Sequence, residues 1–302
     1  MKSKIIGTHD GLFHCDELTS CVILLLTKEF MGSKIRRTRD SSILKECDVV
    51  VDVGKEFNVE HHLFDHHQQG FNERWEGSPT LFSSAGLIYK YYGREIIIKL
   101  CKGPHTVFED EEEIKWFMNK WYFFYFVSID AEDNGCPRGK EQNYIEGMDS
   151  LKNVISNLNE LRGGFDIGLT ICKLELVKSF YRLLINWRPT VKKYPASYFK
   201  QEIVFIDDQE ADWVSLCEMA SLNKITLVVV KKENNKYIGR VVKDRLQPNF
   251  SWPKEWRGMY GYELKNIIGN GVICCDRTGT EIVCEDIKTV ENALRIAKKV
   301  QK

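Results

Sequence analysis

One segment constrains the fold more than any other: a β-branched run, Val49 to Val51, that continues through Asp52 and Val53 to Gly54. Such an apolar run is typical of a central strand in a parallel sheet, which is covered on both faces. A carboxylate at the end of the strand lies at the carboxyl edge of the sheet, where the loops of an open α/β sheet converge on one crevice. The segment therefore predicts an α/β fold with a polar site at Asp52.

Strands and helices alternate through the first half of the chain, which predicts a parallel sheet. The predicted strands are 4–7, 35–38 and 49–53, and the predicted helices are 17–30 (capped by Asp16), 41–47, 83–92 and 111–131. Aromatic residues lie on all sides of the last helix, between 116 and 126. This pattern favours a helix buried between layers over a base-stacking surface.

The second half of the chain predicts a smaller domain with a mixed sheet. Its predicted strands are 203–206, 225–230 and 237–242, with helices at 213–222 and 290–300. A length of 302 residues suits two domains of ordinary size. We expect a catalytic domain at 1–150, a helical connection at 151–200 and a C-terminal, substrate-binding domain at 201–302.

Charge and composition exclude some classes of protein. The 43 basic and 43 acidic side chains cancel, so any site for a polyanion must be local. No apolar stretch reaches the length of a membrane span, and neither a signal peptide nor a transit segment is recognisable at the N-terminus. The ten cysteines lack the spacing of a secreted disulfide scaffold. Reduced thiols and a location in the cytoplasm or nucleus are expected.

Histidines and carboxylates cluster in the first 135 residues. Six of the seven histidines fall between His9 and His67, and carboxylates lie beside them at Asp16, Asp52 and Asp65. Imidazole and carboxylate together are the ligands of Mn²⁺, Mg²⁺, Fe²⁺ or Zn²⁺. Two such ions, bridged by one carboxylate, can clamp both oxygens of an in-line phosphoryl displacement. Asp52 is the natural candidate for the bridge.

Several motifs resemble those of a known family. They are the segments 7–17 (GTHDGLFHCDE), 51–54 (VDVG), 64–68 (FDHHQ), 83–86 (SSAG) and 129–135 (IDAEDNG). In this order they resemble the melanocyte-proliferating-gene family of exonucleases. That family belongs to the DHH phosphoesterases, named for the triplet present here as Asp65-His66-His67. A weaker similarity continues through 252–258 (WPKEWRG) towards the C-terminus.

The resemblance implies a DHH-type parallel-sheet N-terminal domain and a 3′–5′ exonuclease that acts on single-stranded RNA or a short oligonucleotide. It implies two divalent ions, Mn²⁺ with Mg²⁺ as the alternative. One ion is assigned to His9, His14 and Asp52. The other is assigned to Asp16, Asp52, His66 and either Asp130 or Asp133. Asp52, His66 and His67 are the expected catalytic residues.

Substrate contacts are also implied, with His67 facing the phosphate. Ser83 and Ser84 open a helix, where a phosphate can rest. Arg240 and Arg257 belong to a basic stretch, 231–257, with eight basic and three acidic residues. Arg37 and Arg39, near another strand end, are weaker candidates. The segment 275–281 lacks the histidine and paired glycines expected in relatives, so the sequence supports catalysis better than RNA specificity.

Other functions stay open from sequence alone. One alternative is a DHH-type phosphatase of small substrates such as pyrophosphate, a dinucleotide or a nucleotide bisphosphate. The other is a non-catalytic regulatory protein that binds metal and nucleotide. The resemblance adds the mitochondrion as a further location, and the sequence leaves the oligomeric state undetermined.

Overall fold

The chain is represented by a computed structural model that describes residues 3–101, 107–136, 147–223, 225–242 and 250–301. It divides into two compact units, Met1–Arg182 and Leu183–Lys302. The helical connection expected at 151–200 is shared between the units, because its first two helices belong to the first unit and its last to the second. Lys243 and Arg245 of the basic stretch lie outside the described residues.

A five-stranded sheet forms the centre of the first unit. Its strands are β1 (Ile5–Thr8), β2 (Lys34–Arg37), β3 (Val49–Val51), β4 (Phe57–Asn58) and β5 (Leu63–Phe64). The order across the sheet is β2-β1-β3-β5-β4. Strands β2, β1, β3 and β5 are parallel, which confirms the α/β class. The sheet is nevertheless not wholly parallel: β4 pairs antiparallel with β5, since the short connection between them permits only a hairpin.

Seven α-helices accompany this sheet in the described residues of the first unit. They are α1 (Cys15–Leu26), α2 (Ser41–Leu44), α3 (Ser84–Leu100), α4 (Glu111–Trp121), α5 (Val127–Asp133), α6 (Gly147–Leu158) and α7 (Gly164–Tyr181). A π-helical segment, Tyr122–Phe126, joins α4 to α5, so the long predicted helix is present with a local change of hydrogen bonding. Trp121, Tyr122 and Phe126 are fully buried, which confirms their assignment to the core.

The predicted start of α1 is wrong by two residues. His14, not Asp16, is the N-cap, and Glu17 accepts a hydrogen bond from the His14 backbone in a capping box. The physical reason is that the Asp16 carboxylate is buried and accepts backbone N–H groups from the first turn of α3 instead. Asp16 therefore links α1 to α3 and does not cap α1.

The second unit contains a mixed sheet. Its strands are β6 (Ile203–Ile206), β7 (Val228–Glu233), β8 (Lys236–Val241), β9 (Val272–Cys275) and β10 (Glu281–Cys284), in the order β6-β7-β8-β10-β9. Among the strands described in this unit, only the β6–β7 pair is parallel. The helices are α8 (Arg188–Lys193), α9 (Trp213–Asn223), α10 (Tyr262–Ile268) and α11 (Ile287–Val300). A second π-helical segment, Arg182–Trp187, precedes α8, and short 3₁₀ turns lie at Ala196–Tyr198 and Lys254–Trp256.

Buried tryptophans organise the core of the second unit. Trp252 and Trp256 stack at a centroid distance of 6.2 Å and pack with Val228, Leu264 and Ile282. The mixed-sheet prediction for this part of the chain is thus confirmed. Across the described residues of both units, no helix combines the length and the apolar character needed to cross a membrane.

Candidate metal centre

Three neighbouring strands deliver the candidate ligands to one edge of the first sheet. His9 follows β1, Asp52 follows β3, and the triplet of residues 65–67 follows β5. Because β1, β3 and β5 are parallel and adjacent, their carboxyl ends lie side by side, as expected for a crevice in an α/β sheet. The first turn of α1 and the end of α5 supply the remaining candidate ligands.

Asp52 is the centre of this cluster. Its Oδ2 lies 3.4 Å from His9 Nε2, and its Oδ1 lies 3.5 Å from both His66 Nε2 and His67 Nδ1. Burial alone would raise the pKa of Asp52, but the rings of His66 and His9 outweigh burial and lower it to about 2. The backbone φ of Asp52 is 56°, a left-handed conformation that non-glycine residues adopt at an energetic cost.

His9, His14 and Glu17 form one group of possible ligand atoms, all within 4.8 Å of one another. The ring of His9 is oriented by a contact of 2.9 Å between its Nδ1 and the carbonyl of Asp10. Donation from Nδ1 to that carbonyl leaves Nε2 as the ligand atom, a common arrangement around metal-bound histidines. Burial favours the neutral ring, yet Asp52 and Glu17 outweigh it and raise the pKa of His9 to about 10.

Glu17 is the one member of this group that the sequence analysis missed. Its Oε1 lies 3.3 Å from His9 Nε2, and the side chain is fully buried. Both carboxylate oxygens accept the His14 backbone N–H, at 2.9 and 3.0 Å. A glutamate three residues after an N-cap is a recognisable capping signal, so the position was detectable once His14 was taken as the cap.

Asp16, His66 and Asp133 form a second group, again within 4.8 Å of one another. His66 Nε2 lies 2.9 Å from Asp133 Oδ2. The Asp16 oxygens accept the backbone N–H groups of Ser84, at 3.0 Å, and Ala85, at 2.6 Å. The start of α3 thereby orients this carboxylate, while burial and the neighbouring carboxylates of Asp52 and Asp133 raise the pKa of Asp16.

Asp130 is directed away from this group. Its Oδ1 accepts hydrogen bonds from the backbone N–H and the hydroxyl of Ser83, and its Oδ2 accepts one of 2.7 Å from the Tyr122 hydroxyl. Burial raises the pKa of Asp130 to about 7. The sequence left two alternatives open. Asp133 lies among the possible ligands, whereas Asp130 is hydrogen-bonded to Ser83 and Tyr122 and holds the start of α3 in place.

Asp65 orients the triplet in which it lies. Its Oδ1 lies 2.7 Å from His67 Nδ1 and also accepts the backbone N–H groups of His66 and His67. Its Oδ2 accepts the backbone N–H of Lys55. The hydrogen bond that the His67 ring donates to Asp65 raises the pKa of His67, whose side chain is 54% exposed. His67 is thus held at one nitrogen while its ring borders solvent.

A cavity of about 770 Å³ opens over these groups. Its walls include most of the predicted ligands: His9, His14, Asp16, Asp52 and Asp133. Ser83 and Ser84, predicted substrate contacts, are fully buried and do not line this cavity. Their hydroxyls donate to Asp130 and to the carbonyl of Phe64, so they are committed to the protein itself.

Arg240 and Arg257, the other predicted substrate contacts, lie in the second unit. Arg240 donates to Glu281 at 2.9 Å, and its guanidinium lies 4.5 Å from the ring centre of Trp213. Arg257 donates to the Trp252 carbonyl, at 3.3 Å, and to the Ser251 hydroxyl, at 3.1 Å. Both arginines are partly buried, and their contact with substrate stays a prediction.

The gathered residues fit divalent cations. Asp52 Oδ1 and His66 Nε2 are among the buried polar atoms of the described residues that have no hydrogen-bond partner, because the 2.9 Å approach of His66 Nε2 to Asp133 Oδ2 does not have hydrogen-bond geometry. Buried polar atoms are normally satisfied, and a cation bound in this cluster of imidazoles and carboxylates would satisfy both atoms. His9, His14, Asp16, Asp52, His66 and Asp133 are the predicted ligands that the structure brings together, with Glu17 beside them.

Known proteins share extended similarity with this chain. A model of the MYG1 exonuclease family, described as uncharacterised protein family UPF0160, matches residues 5–300. The MYG1 exonuclease of Mus musculus is 29% identical over 294 residues, which cover 87% of this chain and 76% of the mouse protein. The MYG1 exonuclease of Homo sapiens is 39% identical over 142 residues, which cover 45% of this chain and 37% of the human protein.

A bacterial relative is similar along its whole length. The MYG1 protein of Chlamydia muridarum is 27% identical over 312 residues, which cover 99% of this chain and 98% of that protein. Among solved structures, RecJ from Thermus thermophilus in complex with Mn²⁺ is 13% identical. That match covers 99% of this chain and 52% of the RecJ chain, with a TM-score of 0.29.

Proposed function

This chain belongs to the MYG1 exonuclease family, and from that membership we propose that it is a metal-dependent phosphodiester hydrolase. More specifically, we propose a 3′–5′ exonuclease that acts on single-stranded RNA or short oligonucleotides. The name exonuclease given to the mammalian relatives supports removal of terminal nucleotides. The choice of RNA and the 3′–5′ direction rest on the family resemblance of the sequence motifs.

The observation that carries the proposal is the position of Asp52 between three histidines. Its two carboxylate oxygens lie within 3.5 Å of ring nitrogens of His9, His66 and His67. A carboxylate with an oxygen facing each of two ligand groups is the arrangement required of a bridge between two cations. The unsatisfied atoms Asp52 Oδ1 and His66 Nε2 support the same interpretation.

His9, His14, Asp16, Asp52, His66 and Asp133 would hold two divalent cations, with Mn²⁺ proposed and Mg²⁺ as the alternative, and these would supply Lewis acidity towards the phosphoryl group and a water of lowered pKa. The protein contributes orientation. The Asp10 carbonyl holds Nδ1 of His9, so that Nε2 faces Asp52 and Glu17, and Asp65 holds Nδ1 of His67, whose ring lines the cavity. We propose that the solvent-bordering nitrogen of His67 donates to a phosphate oxygen and neutralises part of its developing charge.

The proposal is tested with a 5′-labelled single-stranded RNA incubated with Mn²⁺. We expect the wild type to give a ladder that shortens from the 3′ end, and Asp52→Asn to abolish it. Asp166→Asn is the matched control, because that carboxylate is exposed on α7 and lies outside the cavity. Undiminished cleavage by Asp52→Asn would refute the bridging role of this carboxylate.

The product profile separates the alternatives. Hydrolysis of pyrophosphate or a dinucleotide, without any ladder on RNA, would favour a phosphatase of small substrates. Binding of Mn²⁺ without turnover of any phosphoester would favour the non-catalytic regulatory protein.

A further inference from the structure

Three basic side chains line the same cavity as the candidate metal ligands. They are Arg39, Lys55 and Lys152, here called the cationic rim. They come from separate parts of the first unit: the loop after β2, the loop after β3, and α6. None of the metal-ligand assignments uses them.

The charges of the site indicate a function for the cationic rim, which is to balance the negative charge of a substrate. Asp16, Glu17, Asp52 and Asp133 carry up to four negative charges, which two divalent cations would cancel, while the cavity-lining Asp65 and Glu132 are paired with His67 and Lys152. A phosphodiester that reacts at the metals adds one negative charge, and any neighbouring phosphate adds more. Fixed positive charges beside the metals are then needed to attract and hold the rest of an anionic substrate.

The rim residues are available for such a ligand. Arg39 lies 3.4 Å from Asp10, and both side chains are more than half exposed. Lys152 pairs with Glu132, whose side chain is 27% exposed. The exposed Arg39–Asp10 pair contributes only about 0–1 kcal/mol, so a phosphate can replace or join the Asp10 carboxylate. The side chain of Lys55 is exposed at the cavity wall, and the backbone N–H of Lys55 donates to Asp65.

The backbone at Lys55 gives a second reason to assign the cationic rim a function. Its φ of 57° is left-handed, and lysine has neither the freedom of glycine nor the short polar side chain of asparagine that suits this conformation. The Lys55 N–H donates to Asp65 Oδ2 at 2.6 Å, so the carboxylate that orients His67 also fixes this loop. A strained residue held in place beside a candidate site indicates a role for its side chain.

We propose that the cationic rim binds a second phosphate of the substrate, next to the phosphodiester that is hydrolysed. The preferred substrate therefore carries at least two phosphates in sequence, as a nucleic-acid chain or a 5′-phosphorylated dinucleotide does. Arg39 can accept such a phosphate with two parallel hydrogen bonds, while the two lysines act as point charges. This inference rests on the proposed hydrolase function and specifies its substrate.

The test compares two substrates that differ in one phosphate: a ribodinucleotide with a 5′-phosphate and the same dinucleotide without it. KM is measured with Mn²⁺ for wild type, Arg39→Gln and Lys55→Asn. We expect the wild type to favour the phosphorylated substrate, and each substitution to reduce that preference about tenfold. Asparagine tolerates the left-handed backbone, so Lys55→Asn removes the charge without endangering the fold.

Two controls complete the experiment. Lys55→Arg keeps the charge and is expected to restore most of the preference. Arg36→Gln removes an exposed cation of β2 that does not line the cavity, and it is expected to behave as wild type. If both Arg39→Gln and Lys55→Asn retained the full preference for the 5′-phosphorylated dinucleotide, the proposed role of the cationic rim would be overturned. The hydrolase function would be unaffected by that result. Failure of the wild type to cleave both dinucleotides and also the single-stranded RNA would overturn the hydrolase function, and the proposed role of the rim with it.

Discussion

His9 illustrates how single residues are prepared for a cation. Its ring is buried, its Nδ1 is held by the carbonyl of Asp10, and its Nε2 lies between Asp52 and Glu17. In the absence of a cation, a proton on the ring satisfies both carboxylates, which is why the pKa is raised to about 10. A metal bound at this nitrogen must replace that proton.

We therefore expect Mn²⁺ binding to release protons and to strengthen as pH rises. His9 is protonated at pH 7, since its pKa is raised, and remains so until the pH approaches about 10. While one proton is displaced per ion, the apparent affinity increases about tenfold per pH unit. Calorimetric titrations in buffers of different ionisation enthalpy measure the protons released. A binding heat that is independent of the buffer would contradict this prediction.

Arg37 supports the loop that carries His9. Its guanidinium donates to the carbonyls of His9, at 3.2 Å, and Gly11, at 2.6 Å, and lies 4.5 Å from the ring centre of Phe165. This role differs from the phosphate contact considered from the sequence.

We expect Arg37→Lys to weaken Mn²⁺ binding about 10- to 100-fold, because an ammonium group cannot donate to both carbonyls in the same geometry. The affinity is measured by calorimetry, with Arg36→Lys as the matched control from the same strand. An unchanged affinity for Arg37→Lys would show that the loop holds its position without this support.

The ligand residues were predictable to different degrees. The motifs at 7–17, 51–54 and 64–68 predicted five of the candidate ligands directly: His9, His14, Asp16, Asp52 and His66. Asp130 and Asp133 stand three residues apart, hence nearly on one face of α5, and only the phase of that helix decides which one reaches His66. The π-helical segment before α5 changes this phase, and spacing rules based on regular α-helices do not anticipate it.

Among the elements, α3 and α5 are joined by an unusually close contact. A Cβ atom added at Gly86 in α3 would lie 2.5 Å from both oxygens of Asp130 and from a ring carbon of Phe82. Asp130 is fixed in turn by Ser83 and Tyr122. Only a glycine at position 86 allows this carboxylate to reach the start of α3.

Gly86→Ala is expected to destabilise the protein by about 1–3 kcal/mol, the usual cost of an extra carbon in a packed interior. Urea unfolding followed by circular dichroism measures the change. Because alanine is a better helix former than glycine, a rise in the free energy of unfolding would mean that the contact relaxes without cost.

The elements themselves were recognisable where their patterns were long. β1 and β3 are apolar runs, and α4 has strong start signals. Strands β4 and β5 contain two residues each, too few for any periodic pattern. The hairpin of β9 and β10 was missed although its strands are as long as β1 and β6 and the turn residues of 276–280 between them are a hairpin signal.

At the scale of the whole molecule, each unit has its own sheet and its own core. All the candidate metal ligands belong to the first unit, Met1–Arg182. A ligand that binds only the folded form stabilises it according to its concentration relative to its Kd.

We expect Mn²⁺ at 100 times its Kd to stabilise the first unit by about 2.7 kcal/mol, and chelation to remove this gain. Differential scanning calorimetry with and without a chelator measures the shift in unfolding temperature. Asp52→Asn should be insensitive to the chelator. An equal response of wild type and variant would place the stabilising ion elsewhere.

The order of the strands has a consequence for synthesis of the chain. His9 comes near the beginning of the first unit and Asp133 after five strands and four helices have been made. A nascent chain therefore contains isolated histidines and carboxylates long before it contains a complete set of ligands. A complete ligand set therefore requires α5 to pack beside the sheet, a contact between residues far apart in the chain, which is slow to form. Hydrolytic activity is thereby withheld from an incompletely folded chain.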